Sequence, residues 1–305
     1  MGTPAFACPT LAALLARPDP VVGVVCQPDK PKGRGLTVDA PPVKQMALQH
    51  GIPVLQPPTL RTPDALAALH ALSPDLIVVA AYGKILPRAW LDLPPQGCIN
   101  VHASILPRHR GAAPIQHAIL TGDATTGVTI MAMNETMDAG DILLVRETPI
   151  LADDTGGSLT TRLAELGPVA LGEVIDQLHA RSAVRQVQPI DGVTFAPRIE
   201  RAHARLDWTR PAIELARVVR AFQPTPVAFT TWDTTVLRVH RAAAVPWEGT
   251  AAPGTIVRVN PTGIVVATGS GALQLLEVQL EGRKRLAVAA FLAGSRLAAG
   301  TCLGG

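Results

Sequence analysis

Residues 99–116 read INVHASILPRHRGAAPIQ, and this stretch indicates the fold more clearly than any other. An apolar, β-branched run ends there on Asn100, Val101 and His102, and a proline, arginines and a glycine follow. Short β-branched runs of this kind are typical of buried parallel strands. Because side chains alternate along a strand, we expect Asn100 and His102 on the same face, at the end of the strand.

The rest of the first half alternates apolar runs with helical patterns. Two further runs, VVGVVC (21–26) and LIVVAAYG (76–83), predict parallel strands, and residues 126–133 and 140–150 predict an antiparallel pair. Strands that alternate with helices indicate an α/β domain with a doubly wound, mostly parallel sheet, which we place at residues 1–181. Helices are predicted for residues 63–72, 114–123 and 156–181.

The first residues, MGTPAF, form a turn with no strand before it. In a doubly wound fold the first turn follows a central strand. We therefore expect the first strand to be missing from this sequence, with Met1 as its last residue; a frayed N-terminus is the alternative.

The second half has a different pattern. Residues 182–206 show no clear periodicity and are interrupted by prolines and a glycine, which predicts a linker. A helical pattern at 210–222 is followed by short alternating runs in 254–282 that are divided by turn residues. This pattern predicts a C-terminal antiparallel β-barrel of OB-like type over residues 207–305.

Composition limits the class of protein. Hydrophobic residues make up 48% of the 305 residues, but no run is long enough for a membrane helix and no secretory signal is visible. The four cysteines are scattered, without metal-ligand spacing. We therefore expect a cytoplasmic protein with free, buried thiols, no metal and no membrane partner, and we expect a monomer.

Charge is spread unevenly over the chain. Residues 1–179 carry a net charge of −4 and residues 180–305 a net charge of +7, within an overall +3. Such asymmetry indicates that the C-terminal part binds a polyanion. An ordinary solvated surface remains the alternative.

The polar residues at the strand end suit acyl transfer. The sequence has no GxGxxG that opens a helix and no Walker A, HExxH or GxSxG motif, so dehydrogenases and nucleotide hydrolases lose support. The loop at 134–141 adds the carboxylates of Asp138 and Asp141 to Asn100 and His102. An amide and an imidazole stabilise an oxyanion, and a carboxylate manages protons. Singly, His102 could be a core histidine and Asp138 a turn residue.

A long polar loop, CQPDKPKGRGLTVDAPPVK, spans residues 26–44. It is longer than a simple connection requires, and its cations include Lys30, Lys32 and Arg34. Cations beside a site are suited to phosphate contacts. A merely solvated loop is the alternative.

Taken together, INVHASILPRHRG and the later MDAGD resemble the folate-dependent formyltransferase family. The segments GAAPIQ, CQPDKPKGRG and AYGKILP are similar to the branch that acts on methionyl-tRNA, and LDW, VRAFQPTP and APGTI resemble its C-terminal barrel. The resemblance covers nearly the whole chain. It departs from the family in the missing first strand, and in Ile105, where the family usually has leucine.

The resemblance implies transfer of the formyl group of 10-formyltetrahydrofolate to the α-amine of methionyl-initiator tRNA. Asn100 and His102 would polarise the formyl oxygen, and Asp138 would orient or charge His102. The implied folate-binding residues are Ser104, Ile105, Leu106 and Pro107, and the implied tRNA-binding residues are Lys30, Lys32 and Arg34.

Two other functions stay open from the sequence. A formyltransferase acting on a small amine would use the same chemistry, but it would need neither the basic loop nor the β domain. An RNA-binding protein with an inactive catalytic domain would not need Asn100, His102 and Asp138 together.

Overall fold

The computed structural model describes residues 1–32 and 37–304, which form two compact units. The first unit contains Met1–Pro114, Thr125–Pro149 and Thr160–Pro197; the second contains Ile115–Ala124, Ile150–Leu159 and Arg198–Gly305. This division differs from the predicted 1–181, 182–206 and 207–305 in two ways. Two short segments from the first half join the second unit, and much of the predicted linker joins the first.

The elements of the first half follow in chain order. The strands are β1 Val24–Val25, β2 Lys30–Lys32, β3 Thr37–Asp39, β4 Val54–Leu55, β5 Ile77–Val79, β6 Cys98–His102, β7 Arg110–Gly111, β8 Thr125–Ala132 and β9 Ile142–Pro149. The helices are α1 Cys8–Leu15, α2 Pro42–Gln49, α3 Pro63–Ala71, α4 Arg88–Leu91, α5 Pro114–Thr121 and α6 Gly156–His179.

The remaining elements begin with β10 Phe195–Ala196. They continue with α7 Ala212–Ala221, β11 Ala228–Trp232, β12 Thr235–Val245, β13 Ile256–Asn260, β14 Gly263–Ala267, β15 Ala272–Leu280, β16 Leu286–Ala287 and α8 Val288–Leu292. Short 3₁₀ helices lie at Ala5–Ala7 and Arg201–Ala204.

The sheet of the first unit is built around β6. Strands β5, β6, β8 and β9 lie in that order, with β5 and β6 parallel and the other two pairs antiparallel, while β1 and β4 form a separate parallel pair. The predicted strands, the antiparallel pair and the helices are therefore confirmed. Their apolar side chains form the core, in which Trp90 is fully buried and Tyr82 nearly so.

Local sequence explains where the helices begin. Helix α3 has Pro63 at its first position, where the missing N–H costs no hydrogen bond, and Asp64 in its first turn. The hydroxyl of Thr62 accepts a hydrogen bond from the Ala65 amide and so caps the helix.

Residues Met1 and Gly2 join the two parallel parts of the sheet. Gly2 donates to Val25 O at 3.0 Å, and Met1 O accepts from the Ala80 amide at 2.9 Å. These bonds place Met1 and Gly2 between β1 and β5. Beside them lies a cavity of about 260 Å³, lined by residues of α1, of β1 and β5, and of the segments 19–23 and 72–76 that precede these strands. Burial of the Met1 amine lowers its pKa to about 6.

The second unit contains an antiparallel sheet in the order β11, β12, β15, β14 and β13, with β16 paired to β15. The C-terminal segment joins the two edge strands of this sheet. Gly304 donates to Thr231 O at 2.9 Å on the β11 side, and Ile256 of β13 donates to Thr301 O at 2.8 Å on the other. The sheet is thus closed, which confirms the predicted barrel.

Candidate active site

Strand β6 presents Asn100 and His102 at its carboxyl end, between β5 and β8. His102 is buried, with 5% of its surface exposed, and Asn100 is partly buried. Both side chains approach the same carboxylate oxygen, Oδ1 of Asp138. The alternation predicted from the sequence is therefore observed, and the strand end presents both groups together.

Asp138 lies in the loop between β8 and β9, in a left-handed backbone conformation with φ +51°. Its Oδ1 atom is 3.5 Å from Asn100 Nδ2 and 3.7 Å from His102 Nδ1, and its Oδ2 atom accepts the Gly111 amide at 2.8 Å. Aspartate tolerates this backbone region better than most residues. The carboxylate is therefore anchored by one oxygen and faces the two polar side chains with the other.

A backbone carbonyl fixes the tautomer of His102. Nε2 lies 3.0 Å from His109 O, and a carbonyl oxygen can only accept, so Nε2 carries the proton. In the neutral ring, Nδ1 is then an unprotonated acceptor that faces Asp138. Burial lowers the pKa of His102, opposed by the Asp138 carboxylate and the His109 carbonyl, so the neutral form prevails at pH 7.

Two close backbone approaches hold the segments around the carboxylate. Gly111 has φ +124°, and a Cβ there would lie 2.7 Å from Ala196 O, because β7 pairs with β10. Gly140, two residues after Asp138, leaves room for Ala132 O, which a Cβ would approach to 1.8 Å. Glycine is therefore required on both sides of the site.

The predicted folate-binding residues form a turn directly after β6. Thr129 Oγ1 donates to Ser104 O at 2.7 Å and accepts the Leu106 amide at 3.1 Å, which ties the turn to β8. The side chains of Ser104 and Leu106 are buried, and Leu106 packs in an apolar cluster with Met131. The partly exposed side chains are those of Ile105 and Pro107.

The predicted tRNA-binding residues lie in the segment 26–44. Strands β2 and β3 form a short hairpin there, and Lys30 is exposed, with Nζ 3.2 Å from Gln27 Oε1. Lys32 lies in β2, and Arg34 lies outside the described residues. Lys44, in the same segment, is engaged by Asp29 and Gln56 at 2.6 and 2.8 Å.

Sequence patterns missed Arg110 and Gln188, which also contact the site. Gln188 is buried with 6% exposure, and its amide contacts the Asp138 loop and Arg110. It lies in the segment interpreted as a linker, where no periodicity marks buried positions. Gln188 is followed by Pro189 and has the exposed Val187 and Ile190 as near neighbours, so the local sequence gives no signal of its burial.

The four cysteines are free thiols that differ in burial. Cys26 and Cys98 are buried, Cys8 is partly buried and Cys302 is exposed, so the expectation of four buried thiols is wrong for Cys8 and Cys302. Burial raises the pKa of Cys98 to about 12.

Over residues 1–32 and 37–304 there is no group of three or more His, Cys, Asp or Glu arranged to hold a metal ion. None of the helices in these ranges combines the length and apolarity needed to cross a bilayer.

Comparison with known proteins places this geometry in a family. Residues 2–175 match the formyl transferase domain, and residues 198–296 match the formyl transferase C-terminal domain. The methionyl-tRNA formyltransferase of Geobacter sulfurreducens is 47% identical over 100% of this chain and 95% of its own length. That of Pseudomonas fluorescens is 53% identical over 93% of this chain and 89% of its own length.

Solved structures show the same fold at low sequence identity. The N-formyltransferase from Helicobacter canadensis, in complex with folinic acid and dTDP-3-aminofucose, has a TM-score of 0.66 and 16% identity, covering 90% of this chain and 96% of its own. The methionyl-tRNA formyltransferase from Clostridium thermocellum has a TM-score of 0.52 and 16% identity, covering 72% and 92%. With two domain matches that span most of its length and relatives about half identical to it, this chain belongs to the formyl transferase family.

Proposed function

We propose that this protein transfers the formyl group of 10-formyltetrahydrofolate to the α-amine of methionyl-initiator tRNA, producing formylmethionyl-tRNA for translation initiation. Its relatives of 47–53% identity carry the name methionyl-tRNA formyltransferase. With this function we expect a monomer that works in the cytoplasm, where charged initiator tRNA is used.

One observation carries the chemistry. The buried His102 ring directs its Nε2 proton at His109 O and its Nδ1 atom at a carboxylate, and burial lowers its pKa, which favours the neutral ring. A neutral imidazole in this tautomer is a general base for an amine nucleophile. The amide of Asn100 beside it supplies an N–H donor for a developing oxyanion.

The first step forms the new bond. The α-amine of the methionyl group attacks the formyl carbon, a C–N bond forms, and the carbonyl electrons move to oxygen. Asn100 Nδ2 donates a hydrogen bond to that oxyanion, while His102 Nδ1 takes the proton that the amine loses. The Asp138 carboxylate, near Nδ1, then balances the charge of the imidazolium.

The second step breaks the old bond. The oxyanion re-forms the carbonyl, and the bond between the formyl carbon and N10 of the folate breaks. The proton held at His102 Nδ1 passes to N10, so the imidazole returns to its neutral form. Asn100, His102 and Asp138 act as the catalytic residues, and no covalent enzyme intermediate is needed.

The folate is proposed to lie against the turn after β6. Ile105 and Pro107, whose side chains are partly exposed, would contact it directly, whereas the buried side chains of Ser104 and Leu106 would hold the turn in shape. A leucine at position 105 would be tolerated, since this wall needs only an apolar side chain of similar size.

The tRNA is proposed to bind the C-terminal barrel, residues 207–305, and the basic loop with Lys30, Lys32 and Arg34. Arg238 and Arg285 both lie close enough to His240 to lower its pKa, although burial has the larger effect. Hydrogen bonds from Arg285 are the main cause that lowers the pKa of Glu277, and Arg241 adds to the effect. Arg285 is itself paired with Glu277, so the support for a polyanion partner comes from Arg238, Arg241 and the net charge of +7 over residues 180–305.

The decisive experiment measures transfer of labelled formyl from 10-formyltetrahydrofolate to methionyl-initiator tRNA. A panel of small amines, including an amino-sugar nucleotide, is assayed in parallel. We expect turnover with the tRNA and none above background with the panel. Faster transfer to a small amine than to the tRNA would contradict the proposed acceptor, and tRNA binding without any transfer would favour an inactive RNA-binding protein.

Binding tests the two cationic regions separately. Affinity for tRNA should fall as salt rises from about 50 to 200 mM, because contacts with phosphates release counterions. Arg34→Ala should weaken tRNA use and leave folate affinity unchanged. A salt-independent affinity, or an equal loss of folate affinity in the variant, would contradict these assignments.

A further inference from the structure

The buried amide of Gln188 makes every hydrogen bond that a glutamine side chain can make. Its Nε2 group donates to Asp138 O at 2.9 Å and to Gly140 O at 2.7 Å. Its Oε1 atom accepts from Arg110 Nε at 3.2 Å and Nη2 at 2.7 Å. These two donated and two accepted hydrogen bonds are the most that the group can make, and all four go to residues of the candidate site.

These bonds close a ring around the carboxylate of Asp138. Gln188 holds the main-chain carbonyl of Asp138 and, on its other side, the guanidinium of Arg110. The next residue, Gly111, donates its amide to Asp138 Oδ2 at 2.8 Å. Both the backbone and the side chain of Asp138 are therefore tied to one rigid frame.

The chain around Gln188 is itself anchored to two strands. Gln186 and Ile142 exchange backbone hydrogen bonds of 2.8 and 2.9 Å, which fixes the segment beside the start of β9. Thr194 then accepts twice, from the amides of His109 and Arg110. The segment 186–196 thus joins the Asp138 loop to the segment that binds His102 and Asp138.

We propose that Gln188 is a positioning residue of this active site: its amide sets the place of the Asp138 carboxylate relative to His102 and Asn100. The proposal rests on the proposed function, since it assigns Gln188 a role through Asp138. Displacement of a catalytic group by about 1 Å can cost on the order of 100-fold in rate. The hydrogen bonds of Gln188 should therefore affect turnover more than substrate binding.

The first test replaces the amide by an apolar group of similar size. Gln188→Leu leaves two carbonyls and Arg110 without their partner, and we expect kcat to fall by about 10- to 100-fold, with KM for folate and tRNA within about twofold. The matched control is Gln186→Ala, an exposed glutamine two residues away whose backbone makes the strand contact; its kcat should stay within about twofold. Unchanged kcat in Gln188→Leu overturns the proposal.

A second variant guards against loss of folding. Gln188→Glu keeps the size and gives Arg110 a charged acceptor, but it presents oxygen to the carbonyls of Asp138 and Gly140, which need a donor. We expect this variant to be as folded as the parent by thermal melting and still to lose kcat by about 10-fold or more. Full activity in the folded variant would contradict the proposal.

A double-mutant cycle separates positioning from general stability. In an Asp138→Ala background the carboxylate is already gone, so Gln188→Leu should change the remaining rate by less than about twofold. An equal loss in both backgrounds would show that Gln188 acts on the fold and not through Asp138, and it would overturn the proposal.

An activity-free readout distinguishes this proposal from the proposed function. The NMR titration of His102 reports the electrostatic environment of its ring, which includes the Asp138 carboxylate. Because Asp138 raises the pKa of His102, displacing the carboxylate should lower that pKa further in Gln188→Leu and leave it unchanged in Gln186→Ala. This shift is expected even if the protein formylates another acceptor. Its absence would contradict the role proposed for Gln188 but not the proposed function.

Discussion

Two histidines, one in each unit, have pKa values that are lowered by the same main cause but have different hydrogen-bond partners. Burial is the main cause that lowers the pKa of both His102 and His240. His240 lies between two glutamines, with Nδ1 3.2 Å from Gln223 Nε2 and Nε2 3.1 Å from Gln279 Oε1. His102 has its Nε2 bound to a carbonyl, while its Nδ1 faces a carboxylate that is 3.7 Å away.

The two rings differ in how many of their nitrogens have a close hydrogen-bond partner. Both nitrogens of His240 have neutral amide partners, so the ring fixes two side chains on the barrel surface. Only one nitrogen of His102 has a close partner, and the other combines an available lone pair with a nearby negative charge. An imidazole can therefore be buried and neutral in both units, yet only one of the two is arranged to transfer a proton.

The strongest test of this comparison removes each ring in turn. His102→Ala should lower kcat by about 1000-fold, because general base catalysis and charge balance are lost together. His240→Ala should leave kcat within about twofold, since its ring supports only surface hydrogen bonds. Single-turnover formyl transfer measures both variants, and comparable losses would mean that the second ring also serves the chemistry.

The next test removes only the charge beside the open nitrogen. Asp138→Asn keeps the size of the side chain but cannot balance an imidazolium, so we expect kcat to fall by about 100-fold. Because the carboxylate raises the pKa of His102, its loss should lower that pKa. The acid limb of the kcat/KM profile, already below the ordinary histidine range, should therefore move to lower pH. A limb that moves upward would contradict the geometry.

The sequence was sufficient for the parts of this site that depend on local pattern. Strand alternation placed Asn100 and His102 on one face, and turn residues divided the barrel strands correctly at 261–263 and 269–271. These features depend on neighbours in sequence, which pattern analysis can detect.

Other parts depend on tertiary contacts that no local pattern records. The tautomer of His102 depends on His109 O, and the place of Asp138 depends on the Gly111 amide. Gln188 lies in a segment that resembles a linker in sequence, because the backbone partners of this segment, in β7 and at the start of β9, are distant in sequence. The residues that position the catalytic groups therefore required the structure.

A smaller effect is expected where the backbone anchors the carboxylate. Gly111→Ala places a Cβ 2.7 Å from Ala196 O and should shift the amide that binds Asp138 Oδ2. We expect kcat to fall by about 10-fold. Gly97→Ala is the matched control, because it also has positive φ but no neighbour within 4 Å of its Cβ. Equal losses of kcat would assign the effect to backbone strain and not to the anchor.

The smallest effect is on stability, and it tests whether both rings are neutral in the folded state. A histidine whose folded pKa lies below its unfolded value binds fewer protons when folded, so stability is present above that unfolded value and lost as pH falls. One such group changes the free energy of unfolding by at most about 1.4 kcal/mol per pH unit.

Urea unfolding of the parent, His102→Gln and His240→Gln between about pH 5 and 8 measures this contribution. Relative to His102→Gln, the parent should lose stability as pH falls through the histidine range and should not change above it. The difference for His240→Gln should have the same sign but be smaller, because that ring is only partly buried and more of its charge is hydrated. A parent that gains stability on acidification relative to His102→Gln would mean that Asp138 outweighs burial, and that the imidazole beside it is charged before any amine arrives.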